Sequence, residues 1–148
     1  MEIKTFRDIL NRVLLANEFV KRKSYYCKIA NEVICVIGIQ RSSFSNSYYI
    51  NIGFMIVELH PAPSELKDVY GEIRCRFSSF ETGNDAFDLD LIRENDIDKL
   101  IDCIKINLEH YVNGYLSIDG LRELLSLNPK LLYETTIKGK SVLLNTNE

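Results

Sequence analysis

Val33-Ile-Cys-Val-Ile-Gly-Ile-Gln-Arg-Ser42 and Ser47-Tyr-Tyr-Ile-Asn-Ile-Gly-Phe-Met-Ile-Val57 are two runs rich in β-branched and aromatic residues, with a short polar spacer between them. Such a pair reads as a β-hairpin. With Ser45-Asn46 at the turn, Ile39 faces Ile52, Ile37 faces Phe54 and Cys35 faces Ile56, and one face becomes wholly apolar. A slip of one residue would set each core side chain against a polar or small one, so this register is expected. The opposite face then carries the pairs Ser42–Tyr49, Gln40–Asn51, Gly38–Gly53 and Val36–Met55. Two glycines side by side leave a shallow trough floored by bare backbone and edged by Gln40 and Asn51.

Outward from the hairpin, residues 24–30 form a strand that turns at Asn31-Glu32. That turn sets Tyr25 beside Gly38, where a ring can cover bare backbone. It also points Cys27 and Cys35 to opposite faces, so they cannot bridge. Downstream, His60-Pro-Ala-Pro-Ser64 ends the ladder, because proline cannot donate to it. A fourth strand fits Glu72–Ser78, where Ile73, Cys75 and Phe77 alternate with Arg74 and Arg76; apolar side chains to the core send both arginines to the trough face.

Helices flank the sheet. Ile3, Phe6, Ile9, Leu10, Val13 and Leu14 recur at helical spacing and predict a helix over residues 3–18. Ile97, Leu100, Ile101, Ile104, Leu108, Tyr111 and Val112 form a second stripe, with Asn95 or Asp96 as cap and Asn113-Gly114 as left-handed end. Ile118–Leu127 is a shorter helix stopped by Pro129. Residues 79–92 read as a loop with Gly83-Asn84-Asp85 as its turn, and the tail as a strand pair turning at Lys138-Gly139. The expected fold is therefore α+β in a single domain, residues 1–148. An antiparallel sheet of about four strands (24–78) packs against an N-terminal helix (1–18) and C-terminal helices (95–127), with a tail over 128–148.

Composition narrows the function classes. An apolar share of 46% with 26% charged residues is that of a globular chain. The apolar runs Val33–Ile39 and Phe54–Leu59 are too short to span a bilayer. With no apolar signal region at Met1–Phe6, a cytoplasmic location is expected and no membrane partner. Cys27, Cys35, Cys75 and Cys103 show no Cys-x-x-Cys spacing, which points to reduced buried thiols and away from a zinc site. Residues 1–80 hold 11 basic and 8 acidic side chains, and residues 81–148 hold 7 and 13. An acidic total of −3 argues against nucleic-acid binding. The run Lys21-Arg22-Lys23 reads as a solvated link between helix and strand.

No catalytic motif emerges. His60 and His110 have no offset to a nucleophile or acid that would form a catalytic pair. Asp85, Asp88 and Asp90 lack the spacing and glycine of a calcium loop. The glycines are dispersed, so no phosphate-cradling loop exists, and Tyr48 and Tyr49 point to opposite faces. No catalytic residue, metal or cofactor is expected.

Several motifs follow one another in a recognisable order: Phe19-Val-Lys21, the strand tyrosine Tyr25, Gln40-Arg41-Ser42, Tyr49-Ile-Asn-Ile-Gly53, Ile73-Arg-Cys-Arg76, then Asp88-Leu-Asp90. This order resembles the bacterial family known as domain of unknown function 4304, over about residues 1–111. The chain departs from that pattern in having no tryptophan in the acidic loop and Ser45 where a turn glycine is usual. The resemblance implies an α+β bacterial protein and leaves its activity open.

Two functions remain. The first is a non-enzymatic interaction protein, immunity or antitoxin-like, whose acidic residues Glu81, Asp85, Asp88 and Asp90 meet a partner protein with a basic surface. The second is a small anionic-ligand or enzymatic site on the polar sheet face, formed by Tyr25, Gln40, Asn51, Arg74 and Arg76. The same polar groups also suit a purely structural network. An exposed sheet edge could pair in a dimer, and the oligomeric state is left open.

Overall fold

A computed structural model describes residues 1–62, 65–80 and 83–144. Helix α1 (Ile3–Ala16) buries Phe6, Ile9, Leu10, Val13 and Leu14, the stripe its spacing dictates. Strand β1 (Val20–Arg22) follows and turns through Lys23, at φ +56°, into β2 (Tyr25–Ile29). The basic run read as a link is thus strand and turn. All three β1 residues are exposed, so no hydrophobic alternation marks the strand in the sequence. β3 (Val33–Arg41) and β4 (Ser47–Ile56) form the long central hairpin, and β5 (Ile73–Arg76) and the short β6 (Phe87–Asp88) both pair with β4. Among the described residues the sheet is antiparallel and six-stranded, in the order β1-β2-β3-β4-β5 with β6 beside β4, somewhat more than the about four strands expected.

The β2–β3 register is the one expected, with Cys27 opposite Val36 and Cys35 opposite Lys28, so the two thiols lie on opposite faces. The β3–β4 register is corrected by two residues. Ile37 pairs with Ile52 and Cys35 with Phe54, while Gly38 meets Asn51, Val36 meets Gly53 and Gln40 meets Tyr49. A shift of two keeps every side chain on its predicted face but sets the two glycines diagonally. The cause is the turn. Ser45-Asn46 has no glycine to support a two-residue left-handed turn, and the chain closes the longer loop Ser42–Asn46 with a bond from Ser42 N–H to the Ser47 carbonyl at 2.9 Å.

One face of the sheet meets α1, α2 (Ile97–Tyr111) and α3 (Ile118–Leu127) in a continuous core that includes Phe54, Ile73, Phe77, Phe87, Leu100 and Leu124. The other face carries a smaller cluster, Cys27, Ile34, Val36 and Met55, flanked by Tyr25, Val57 and Leu66. Helix α2 begins without a side-chain cap, because the Asp96 carboxylate accepts the Arg93 N–H at 2.9 Å instead. It stops at Tyr111 with Val112 as C-cap, and the chain turns away through Gly114, at φ +87°, where the Asn-Gly signal lies. Ser117 caps α3, accepting the Gly120 N–H at 2.9 Å.

The tail is helical, which corrects the strand-pair reading. Pro129–Glu134 forms a short helical stretch and Ile137–Leu143 forms α4, capped by Thr136. Gly139 packs inside α4, where an added Cβ would lie 2.8 Å from the Cβ of Glu72. It serves close approach of helix to strand, not a turn. Among the described tail residues, Thr135 alone touches the sheet as a strand would, bridging Ile73 antiparallel. Among the described residues no helix is long and apolar enough to cross a membrane.

Candidate functional site

The polar sheet face is built by three adjacent strands. Gln40 on β3, Asn51 on β4 and Arg76 on β5 share one face by the period-two rule. The Asn51 amide donates to Gln40 Oε1 at 2.9 Å, Arg76 Nε donates to Asn51 Oδ1 at 2.9 Å, and Arg76 Nη2 donates to Gln40 Oε1 at 3.3 Å. The Arg76 guanidinium also lies 4.0 Å from the Tyr49 ring centroid. Three of the five residues singled out from the sequence therefore meet, and they satisfy one another.

The trough itself is closed. A Cβ on Gly53 would collide with the Asp68 carbonyl oxygen, and on Gly38 it would lie 2.8 Å from the Tyr25 ring and 3.0 Å from Asp68 Oδ1. Tyr25 thus covers Gly38 as expected, and the helical turn Asp68–Tyr70 seals Gly53. Gly71 closes equally tightly on the same stretch of backbone: its Cβ would lie 2.6 Å from Phe54 N and 2.7 Å from Gly53 Cα. Asp68 went unnoticed in the sequence, where nothing marks it off from other loop acids. Burial pushes its carboxyl up, and the nearby Arg74 and Arg76 draw it part of the way back.

Arg74 differs from Arg76. It is exposed, and no ion pair within 4.0 Å holds it among the described residues. It borders a groove of about 800 Å³ along the outer edge of β5, whose charged lining is Arg74, Arg76, Lys130, Asp85 and Glu134. Cys75 also lines this groove, but burial and the Asp85 charge push its thiol up to about 12. Cys27, Cys35 and Cys103 are raised as well, chiefly by burial, so none of the four thiols is poised as a thiolate nucleophile.

The acidic segment lies at the far end of the hairpin. Asp88 Oδ1 accepts the Asp90 N–H at 3.0 Å, and Asp90 Oδ1 accepts the Asn46 amide at 3.0 Å. A backbone bond from Leu89 N–H to the Asn46 carbonyl at 3.0 Å and the pairing of Ser47 with Asp88 complete the junction. Asp85, Asp90, Glu94 and Asp98 are exposed, Asp88 is half-buried, and Glu81 lies outside the described residues. Among the described residues no three His, Cys, Asp or Glu side chains converge on a metal-sized site. Beside this segment Phe44, at the hairpin tip, is 98% exposed, and Leu91 is 52% exposed. The signal for Phe44 was legible: a lone aromatic in Ser42-Ser-Phe-Ser-Asn46 has no sheet face to enter.

The histidines take structural places. His60 Nε2 lies 2.8 Å from Oε2 of the buried Glu72, whose Oε1 accepts the Ile56 N–H at 2.7 Å. His110 is exposed and sits edge-on to Tyr111.

These features define a class: an α+β domain with an antiparallel sheet, helices on one face and a short covered polar ladder on the other. Within that class, the chain belongs to the family described as Domain of unknown function (DUF4304), whose model matches residues 10–118. The match takes in the whole sheet and α2 and stops at the start of α3. No curated protein and no solved structure matches the chain.

Proposed function

We propose that this is a non-enzymatic protein-binding domain that docks through its acidic end onto a partner with a basic surface. The observation that carries the reading is Phe44, fully exposed on a hairpin tip that is tied by hydrogen bonds to Asp90 and Leu89. A large ring in water on a hairpin tip tied to Asp90, in a protein whose neighbouring segment also exposes Asp85, Glu94 and Asp98, has the make-up of a binding anchor with a charged rim. Charge complementarity would steer the encounter, and burial of Phe44 with Leu91 would supply the affinity. In its finer form the domain is a cytoplasmic immunity or antitoxin-like protein that neutralises a basic partner. The small-ligand alternative loses support because Gln40, Asn51 and Arg76 spend their hydrogen bonds on one another and Tyr25 and Asp68 fill the trough.

The test is capture from lysate of the host cell with three baits: the wild type, a variant carrying Asp85, Asp90, Glu94 and Asp98 all changed to Lys, and Phe44→Ala. A partner held by the wild type and lost by both variants supports the reading. The same proteins on all three baits would end it.

A further inference from the structure

We propose that the groove between β5 and the helical stretch Pro129–Glu134 binds a small zwitterion with an apolar side chain, the chemistry of a free apolar amino acid or its dipeptide. The site is separate from the sealed trough and shares only Asp85 with the acidic end. The chain's own tail closes the start of the β5 edge: Thr135 bridges Ile73, and the Thr136 N–H donates to the Glu72 carbonyl at 2.8 Å. Glu134 therefore lies opposite Arg74. Pro129–Glu134 packs beside β5 as helix, not as strand, so it cannot continue a ladder along Cys75 and Arg76. Between the two a groove of about 800 Å³ remains, a size that suits a small ligand.

The lining specifies the occupant. Tyr111 from the end of α2, Leu127 from the end of α3 and Leu131 from the tail bring apolar surface to the groove. Leu127 is 61% exposed, so an apolar side chain seated there removes leucine surface from water. Five charged side chains also line the groove, and one of them, Arg76, is held by Asn51, Gln40 and the Tyr49 ring. The other four, Arg74, Lys130, Asp85 and Glu134, are exposed, and among the described residues no ion pair within 4.0 Å holds any of them. Two free cations and two free acids thus face one groove. A ligand with a carboxylate alone gains at Arg74 and Lys130 and is opposed at Asp85 and Glu134; a simple amine meets the reverse. A ligand with both a carboxylate and an ammonium gains at both pairs, and its side chain covers the apolar wall. The Cys75 thiol in the lining is pushed up to about 12 by burial and the Asp85 charge, so it stays protonated and the groove holds its ligand without attacking it.

The test is titration calorimetry of the full chain with leucine and leucyl-leucine, each free, N-acetylated and C-terminally amidated. At least one free form is expected to bind with a Kd below about 1 mM, and the tighter of the two tells amino acid from dipeptide. Acetylation removes the ammonium and amidation the carboxylate, and each is expected to weaken binding about tenfold. Glycyl-glycine, which has no apolar side chain, is expected not to bind. The double variant Arg74→Gln, Lys130→Gln is expected to lose about tenfold and to bind the free and amidated forms alike. The double variant Asp85→Asn, Glu134→Gln is expected to lose as much and to bind the free and acetylated forms alike. All four positions are exposed, so both variants keep the fold. A Kd above about 1 mM for both free forms would overturn the proposal. An acetylated form that binds the wild type as tightly as the free one would make this a simple anion site and overturn it too. So would wild-type affinity in both double variants, because the ligand would then sit elsewhere on the chain.

Discussion

Replacing Gly53 by alanine tests whether the trough is sealed. The new Cβ would sit within collision range of the Asp68 carbonyl oxygen and 2.7 Å from both Asp68 C and Asp68 Cα. These are backbone atoms and cannot rotate away. Carbon contacts settle near about 3.5 Å, so the turn Asp68–Tyr70 has to retreat by roughly 1 Å. Retreat loosens the fit of Gly71 on Phe54 and the bond from Glu72 N–H to the Phe54 carbonyl, now 2.7 Å. Overpacking of this kind costs about 1–3 kcal/mol. The better strand preference of alanine returns less than about 1 kcal/mol. The net expectation is a loss of about 2 kcal/mol, or roughly 4–8 °C in Tm for a chain of this size. Gly38→Ala is the control. Its nearest contacts are the Tyr25 ring at 2.8 Å and Asp68 Oδ1 at 3.0 Å, both side-chain ends that can shift. It should cost less than about 0.5 kcal/mol. Urea melts followed by circular dichroism and tyrosine fluorescence suit a chain with 8 tyrosines and no tryptophan. A Gly53→Ala variant as stable as the wild type, or a Gly38→Ala variant that loses more, would refute the sealed trough.

Glu72→Ala should cost about 2–3 kcal/mol in the same melts, because it strands the buried Ile56 N–H and removes the partner of His60. Asn107→Ala should cost about 2 kcal/mol, since this buried amide accepts the Ser78 N–H at 2.8 Å and donates to the Ser78 carbonyl at 2.9 Å, tying α2 to the end of the β5 strand. A thiol reagent at pH 8 should label the folded protein slowly and all four cysteines quickly in denaturant; fast labelling of the half-buried Cys75 in the folded state would contradict its raised pKa. Because the folded Cys75 pKa is raised from 9.0 to about 12, the unfolded chain sheds that proton first. The thiol's contribution to stability is therefore complete below pH 9, is lost as pH rises towards 12, and should be absent from a Cys75→Ser comparison.

Most of the architecture was legible because its signals were periodic. The stripes of α1 and α2, the alternation in β3, β4 and β5, and the Asn113-Gly114 stop each repeat a local rule over several residues. What escaped had no such repeat. β1 exposes Val20, Lys21 and Arg22 alike, so nothing alternates. Gly139 looked like a turn because glycine often marks one, whereas here it makes room for Glu72 against α4. The hairpin register missed by two residues because the loop Ser42–Asn46 is closed by serine hydroxyls and backbone bonds, and no turn dipeptide announces that. Among the candidate residues, face assignments survived where exact partners did not. Gln40, Asn51 and Arg76 share a face and bond together, yet the turn that covers the trough comes from Asp68–Tyr70, which pattern alone does not bring onto the sheet.

The most direct measurement is the affinity of the captured, purified partner for the wild type, Phe44→Ala and the fourfold Asp85, Asp90, Glu94 and Asp98 to Lys variant, by titration calorimetry at low and high salt. Docking through the acidic end predicts a loss of at least about tenfold in each variant, with the salt dependence of the wild type abolished or reversed in the charge variant. Unchanged affinity in both variants would contradict it.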